Sequence, residues 1–441
     1  MKDRDLRLQS LHDGQVRLGP ETVHLDITNA CNTDCVTCWD HSPLLRAPPA
    51  AAWKRQRADP AALAALVDDI ESLGGLRAVI VSGMGEPFTH PGVYAVLRDL
   101  KRRGLHVTVI TNLVAADVDA IIDIGVDALL IGVQGASLAS YLAFHPSFGP
   151  QHWERLLAAL ARLRAAGRRD KHVQVICRHN AHELAAMIEL AADHRAAQVN
   201  FKLASLRGGT EAAAITGDQR AWLLGQGISR ALARADDLGV AHNLDVFADQ
   251  VRCGGEVTAP IAEIGCFLGH HYARVTVDGT VLYCCNTEVV VGHLAERPFS
   301  ALWRGPEWQA LRQRLRAGRY FPGCHQCGKL NQNVKLSQRF RQRHGDPAWL
   351  AATGRAPAEP APSDISSPPG PTPTARAGVL TEPVLSDTFT ATTAAPVALL
   401  NEHGPSATFT TPTGAPTEPV PADTTPSTRA APAPRRLPVL G

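Results

Sequence analysis

The sequence predicts an α/β fold with a mainly parallel sheet covered by helices, then a small second unit and a long tail. Three observations carry this. Six short apolar runs alternate with helical segments over the first 250 residues. Strands that are apolar on both faces belong to buried parallel sheets. A hairpin signal and six of the ten cysteines fall between 250 and 340. The last part, from about Arg355, holds more than half of the 32 prolines.

The elements follow in order. "TVHLDIT" (22–28) reads as a buried strand. "DPAALAALVDDIESLGG" reads as a helix, with Asp59 as its cap, Pro60 in its first turn and Gly74 or Gly75 at its end. "RAVIVSG", "LHVTVITN", "DALLIGVQG", "HVQVICRHN" and "AQVNFKLAS" supply five more strands. Helices lie between them, among them "QHWERLLAALARLRAAG", with Trp153, Leu156, Leu157, Leu160 and Leu163 on one stripe. A doubly wound sheet and a full or partial (β/α) barrel both fit. In either, functional residues gather where strands end. "HYARVTVDGTVLYCCN" turns at Asp278-Gly279 as a hairpin does. "PFSALWRGPEWQALRQRLRAG" reads as a helical segment broken near Gly305-Pro306. The stretch 355–441 is too poor in large apolar residues to offset its ordering entropy and reads as a disordered tail. Its deletion is expected to leave cofactor content intact.

Bulk properties exclude several classes. The 441 residues carry a formal charge of +2, with 45% hydrophobic and 20% charged residues. No general attraction to nucleic acid or anionic membrane follows. No apolar run reaches the length of a membrane span. "MKDRDLRLQSLHDGQ" has no signal-peptide core, so a cytoplasmic location is expected. In a reducing compartment, clustered cysteines read as metal ligands before disulfides.

The first cluster, "CNTDCVTCWD", places Cys31, Cys35 and Cys38 just after the first strand. Two readings compete on spacing alone. In one, His41 completes a structural zinc site. In the other, three thiolates hold an iron–sulfur cluster with one iron open. The next strand ends in "GMGEP", with Gly83, Gly85, Glu86 and Pro87 at its exit. Glycines there suit a close backbone approach to a ligand. The loop lacks the Lys-Ser/Thr of a phosphate loop and the third glycine of a dinucleotide fingerprint.

Together, "CNTDCVTCW" and "GMGEP" resemble the radical S-adenosylmethionine (SAM) superfamily, with Met84 in place of the second glycine of its GGEP-type motif. The resemblance covers about residues 20–340. It implies a partial (β/α)6 barrel over 21–247 after an N-terminal extension at 1–20. It also implies a [4Fe-4S] cluster on Cys31, Cys35 and Cys38 whose fourth iron binds SAM. One-electron reduction then yields a 5′-deoxyadenosyl radical that abstracts hydrogen, with the cofactors carrying the hard chemistry. Trp39, Gly83, Gly85, Glu86, Pro87, Asn112, Gln134 and Arg178 are the implied cofactor-binding residues. Asn180 also stands at a strand end, and Arg178 suits the SAM carboxylate.

In the second group, seventeen residues separate Cys266 from Cys284, and "CHQC" adds Cys324 and Cys327. A zinc ribbon is one reading. "CFLGHHYARVTVDGTVLYCC" resembles the SPASM and twitch domains that follow many radical SAM cores. That implies a 248–340 unit with a second [4Fe-4S] cluster on Cys266, Cys284, Cys324 and Cys327. No further cysteine follows Cys327, so the shorter twitch form with one cluster is expected. Cys253 and Cys285 are left over, and Cys177 reads as a core residue.

The four-cysteine arrangement resembles the radical SAM dehydrogenase that oxidises 2-deoxy-scyllo-inosamine. It implies an oxidoreductase acting on an alcohol of a sugar- or aminocyclitol-like metabolite. Lys202 and Arg207 are candidates for the catalytic base or orienter, as are Tyr141 and His145. Modification of a ribosomal peptide is the alternative. With roughly twenty residues before the first strand, a leader-binding domain is not expected. A zinc-bearing scaffold is the non-enzymatic reading. The expected partners are a small-molecule or peptide substrate and a flavodoxin- or ferredoxin-type reductant.

Overall fold

The computed structural model describes residues 3–255 and 261–347. The tail expected at 355–441 lies outside the described residues. Six strands alternate with helices: β1 Thr22–Asp26, β2 Ala78–Ser82, β3 His106–Thr111, β4 Ala128–Gly132, β5 Lys171–Ile176 and β6 Gln198–Leu203. They lie in sequential order, each pair parallel. A doubly wound sheet reverses its strand order at a switch point, and this one does not. The arrangement is the arc of a partial (β/α)6 barrel.

Alternation along the strands separates two environments. Val23 and Leu25, Val79 and Val81, Val107 and Val109, and Leu129 and Ile131 are buried in the core beneath the helices. His24, Asp26, Ser82 and Lys202 lie on the opposite, inner face. The helices start and stop as their local chemistry requires. Asp59 accepts from the Ala61 amide to cap Pro60–Ser72, whose Leu63, Leu66, Val67 and Ile70 are buried. Pro150–Ala165 buries Leu156, Leu160 and Leu163 of the expected stripe.

The second unit is joined to the first by its backbone. β7 Tyr272–Val275 and β8 Thr280–Leu282 form the expected hairpin, with Gly279 at φ +89°. β9 Val290–His293 follows. β7 also pairs in parallel with β1, Thr22 opposite Tyr272 and Leu25 opposite Val275. The hairpin therefore continues the barrel sheet to nine strands. Helices Phe299–Arg304 and Pro306–Arg316 break at Gly305, as expected.

The helix Leu244–Arg252 crosses the junction placed at 247/248. Its Leu244, Phe247, Ala248 and Val251 pack with Val199 and Phe201 of β6, so the helix belongs to the barrel. The N-terminal extension contains a helix, Asp3–Asp13. Its Leu8 and Leu11 meet Phe267, Leu336 and Phe340, the last two from helix Leu330–His344. Neither helix stood out in the sequence, because their charged residues mask a narrow apolar stripe.

Candidate functional site

The cysteine loop begins where β1 ends. The Ile27 amide still bonds to the Ser82 carbonyl of β2 (2.9 Å), and beyond it the chain turns away. Cys31, Cys35 and Cys38 are half-buried and influence one another electrostatically. Burial pushes the Cys31 thiol up to about 12 and raises Cys35 and Cys38 as well. Such thiols become thiolates when a cation binds them. The amides of Asp40 and His41 already point at the Cys38 sulfur, at 3.5 and 3.3 Å. Hydrogen bonds of this kind stabilise cluster thiolates. His41 is not aimed at a metal, since its Nε2 bonds to the Asn29 carbonyl at 2.9 Å. Three soft donors with amide support fit an iron–sulfur cluster with one iron left for another ligand.

The glycine loop packs closely against the chain entering the cysteine loop. A Cβ on Gly83 would lie 2.1 Å from the Thr28 carbonyl oxygen, and one on Gly85 would lie 1.9 Å from that of Ala30. Both glycines thus admit the chain leading into Cys31 rather than leaving space for a ligand. The Gly85 and Glu86 amides bond to the Thr28 and Ala30 carbonyls (3.2 and 2.8 Å). Pro87 opens a short 3-10 turn. The Glu86 side chain is buried and faces β3. It accepts from the Phe88 amide (3.1 Å), the Thr111 hydroxyl (2.7 Å) and the Asn112 amide (2.7 Å). Burial outweighs these bonds and raises its carboxyl to about 7. Met84 tolerates the glycine's place because its sulfur turns inward to the Arg274 guanidinium at 3.5 Å.

The remaining strand-end residues divide. Asn112 reaches the cysteine loop, its Nδ2 donating to Asn32 Oδ1 at 2.7 Å. Trp39 crosses to β6: its Nε1 donates to the Ser205 carbonyl at 2.7 Å, and Arg207 lies over the ring at 3.8 Å. Gln134 and Asn180 hold backbone. Gln134 Oε1 accepts from the Val175 amide (2.6 Å), and Asn180 donates to the Gln134 and Val175 carbonyls. Arg178 is exposed and donates to the Ala212 carbonyl at 3.1 Å. Tyr141 and His145 are buried with Phe144, Phe148 and Trp153. That is an aromatic nest and not a cavity wall, and burial lowers His145 to about 4. Cys177 is fully buried beside Val36 and Phe144, as a core residue would be.

The second cysteine group comes together on one cavity, with Cys285 in addition. A cavity of about 550 Å³ is lined by Cys266, Cys284, Cys285, Cys324 and Cys327. The Cys285 thiol interacts electrostatically with those of Cys284 and Cys327. Sequence spacing left Cys285 aside because one vicinal cysteine sufficed for the motif. Cys253 is exposed at the end of its helix and does not line the cavity. Burial raises Cys266 to about 12. The Asn286 amide points at the Cys284 sulfur (3.4 Å), and Asn333 Nδ2 at that of Cys327 (3.7 Å). The same cavity is lined by Trp39, Lys202 and Arg207, so it runs from the cysteine loop to the second cysteine group.

Residues 25–191 match the family model of the radical SAM superfamily. This chain carries a radical SAM domain. Residues 266–328 match a second model, the SPASM iron–sulfur cluster-binding domain. Iron–sulfur clusters and SAM are the cofactors of these domains. The AdoMet-dependent heme synthase of Methanosarcina barkeri is 25% identical over 303 residues, covering 65% of this chain and 83% of that protein. Among solved structures, Streptococcus suis SuiB bound to precursor peptide SuiA has a TM-score of 0.53 at 12% identity. It covers 75% of this chain and 74% of that one. Native anSMEcpe with bound AdoMet has a TM-score of 0.51 at 12% identity, covering 76% and 100%. These two likenesses show a shared fold.

One polar group of this radical SAM core escaped the sequence reading. Asp26 is buried at the inner end of β1, with Arg274 of β7 bonded to its Oδ2 at 2.8 and 2.9 Å. His24 bonds to the Tyr272 hydroxyl beside them (2.9 Å). No motif announces the pair, because its partners lie far apart in sequence and meet only through the β1–β7 pairing. Among the described residues, no helix is long and apolar enough to cross a membrane.

Proposed function

We propose that this radical SAM protein is an oxidoreductase. Its substrate is a sugar- or aminocyclitol-like metabolite, one alcohol of which it oxidises in the cavity between the two cysteine groups. When bound, the cofactors supply a 5′-deoxyadenosyl radical for hydrogen abstraction at the first group and an acceptor for the remaining electron at the second. The observation that carries the reading is the single cavity lined by Trp39 at one end and by the Cys266–Cys327 group at the other.

In this reading Cys31, Cys35 and Cys38 hold the first cluster, and Cys266, Cys284, Cys324 and Cys327 the second. The 248–340 unit supplies the far wall, and a reducing cytoplasmic compartment suits both clusters. Asn112, through Asn32, keeps the cysteine loop over β3. Trp39, fixed to Ser205 and stacked with Arg207, forms the wall on which the SAM adenine rests. The Gly85 and Glu86 amides are committed to the Thr28 and Ala30 carbonyls just past β1, and carbonyls of the Gly83–Gly85 stretch meet the SAM amino group. Gln134 sets the β4–β5 rim. Arg178 would have to leave the Ala212 carbonyl to reach a SAM carboxylate. Lys202 and Arg207, both on the cavity, orient the substrate hydroxyl. Of the two, Lys202 is the candidate proton acceptor, since a guanidinium does not deprotonate.

The test is anaerobic reconstitution, addition of SAM and reductant, and measurement of 5′-deoxyadenosine release against a panel of aminocyclitols and sugars. Stimulation by one of them, with the matching ketone formed, supports the reading. Stimulation by a peptide or a tetrapyrrole alone removes it.

A further inference from the structure

We propose that the cleft between the N-terminal helix Asp3–Asp13 and helix Leu330–His344 binds a phosphate group that still carries a hydroxyl, held between Arg4 and Arg339 over His271. The site lies beyond the radical SAM reading and needs neither cysteine group. Three adjacent strand starts build its floor. Glu21 precedes β1, Arg77 precedes β2 and His271 precedes β7, and these three strands are neighbours in the sheet. The Arg77 amide donates to the Glu21 carbonyl (2.9 Å), and the Glu21 amide to the His271 carbonyl (2.9 Å). These residues therefore gather at the rim opposite the cysteine loop, which leaves from the strand ends. The two helices add Arg4 from one side and Arg339 from the other. The cleft holds about 390 Å³ and shares no lining residue with the cavity of about 550 Å³.

Charge and hydrogen bonding select the ligand. Four arginines line the cleft, Arg4, Arg7, Arg77 and Arg339, against two carboxylates, Asp3 and Glu21. Two positive charges are left over, and a dianion neutralises them. Arg7 serves the structure: it is buried, and its guanidinium donates to the Gly19, Gly75 and His270 carbonyls. Arg77 is paired with Asp3. Arg4 and Arg339 are exposed, and neither makes a hydrogen bond or an ion pair among the described residues. Guanidinium forks match the oxygens of a phosphate. His271 decides which oxyanion fits. Its Nδ1 lies 3.0 Å from Glu21 Oε2. A carboxylate only accepts, so Nδ1 carries the hydrogen and Nε2 presents a lone pair. Burial lowers the His271 pKa and so favours this neutral ring. Nε2 is buried without a partner, which costs free energy until a donor reaches it. Hydrogenphosphate brings both requirements together, a double negative charge and one P–OH to donate. Sulfate has the same charge and shape but no hydroxyl.

The experiment titrates the cluster-loaded full chain with inorganic phosphate and with sulfate by calorimetry, near neutral pH and at constant ionic strength. The cleft variant combines Arg4→Gln and Arg339→Gln. A charge-matched control combines Arg102→Gln and Arg155→Gln, two exposed arginines elsewhere. We expect saturable binding of phosphate, with sulfate weaker by about tenfold or more, and a loss of about tenfold or more in the cleft variant. The control should bind phosphate as the unmodified chain does. Sulfate bound as tightly as phosphate overturns the proposal, because His271 then takes no part. Unchanged affinity in the cleft variant, an equal loss in the control, or no saturation of the unmodified chain at about 10 mM phosphate also overturns it. If the cleft variant fails to fold, the comparison of phosphate with sulfate on the unmodified chain still decides. Phenyl phosphate, titrated beside inorganic phosphate at about pH 6 where a monoester keeps part of its last proton, separates the sources. Binding at least as tight as phosphate assigns the site to a phosphate ester, and binding of phosphate alone assigns it to the free anion. Both outcomes support the site.

Discussion

The Glu86 carboxylate lies 2.7 Å from the Asn112 amide through Oε2 and 2.7 Å from the Thr111 hydroxyl through Oε1. It joins the exit of β2 to the exit of β3 and so fixes the floor beneath the cysteine loop. This acidic residue of the glycine motif acts within the protein, as an acceptor for β3.

A pH dependence follows. Burial raises the folded carboxyl of Glu86 from 4.5 to about 7. Above pH 4.5 the unfolded chain loses its proton first, so the folded state binds more protons and stability falls as pH rises. The loss is complete above about pH 7 and is about 3 kcal/mol at most for a shift of this size. Melting temperatures of the unmodified chain should fall between pH 4.5 and 7, and Glu86→Gln should flatten that slope. An unchanged slope would place the titration elsewhere.

Gly85→Ala tests the contact between the two loops. Its Cβ would stand 1.9 Å from the Ala30 carbonyl, so one backbone must move. Overpacking of this kind costs about 1–3 kcal/mol. Iron content should fall together with thermal stability, whereas Met84→Gly should leave both nearly unchanged.

The first cysteine group should behave as a cluster site and not a zinc site. Cys35→Ala should lower iron from about eight to about four per chain and abolish SAM cleavage. His41→Ala should keep the iron and lose only its bond to Asn29, about 1 kcal/mol. Metal analysis and absorbance spectra decide between them.

Five thiols meet in the second group, and a four-iron cluster needs four. Cys327→Ala should remove the second cluster, lowering iron to about four per chain, while Cys285→Ala should retain about eight. The reverse outcome would make Cys285 the ligand.

Removing the Arg207 guanidinium tests the wall at Trp39. Arg207→Ala should raise the SAM concentration needed for half-maximal cleavage about threefold, in line with a partly exposed cation–π contact of about 0.5–1 kcal/mol. Iron content should not change.

The sequence by itself determined the strand–helix alternation, the two cysteine groups and the superfamily, because each is written in local spacing. Apolar runs declare buried strands, and three thiols within eight residues declare a shared metal site. Tertiary structure decided the rest. Only the β1–β7 pairing shows that the second unit extends the barrel sheet and brings Arg274 to Asp26. Only the backbone contact of Gly83 and Gly85 with Thr28 and Ala30 shows that these glycines make room for protein. Arg178, read as a ligand from its place after β5, turns out to the Ala212 carbonyl, while Arg207, from the next strand end, closes on Trp39. Sequence position tells which end of the sheet a residue occupies. Where its side chain goes is set by neighbours far away in the chain, and those neighbours decide the site.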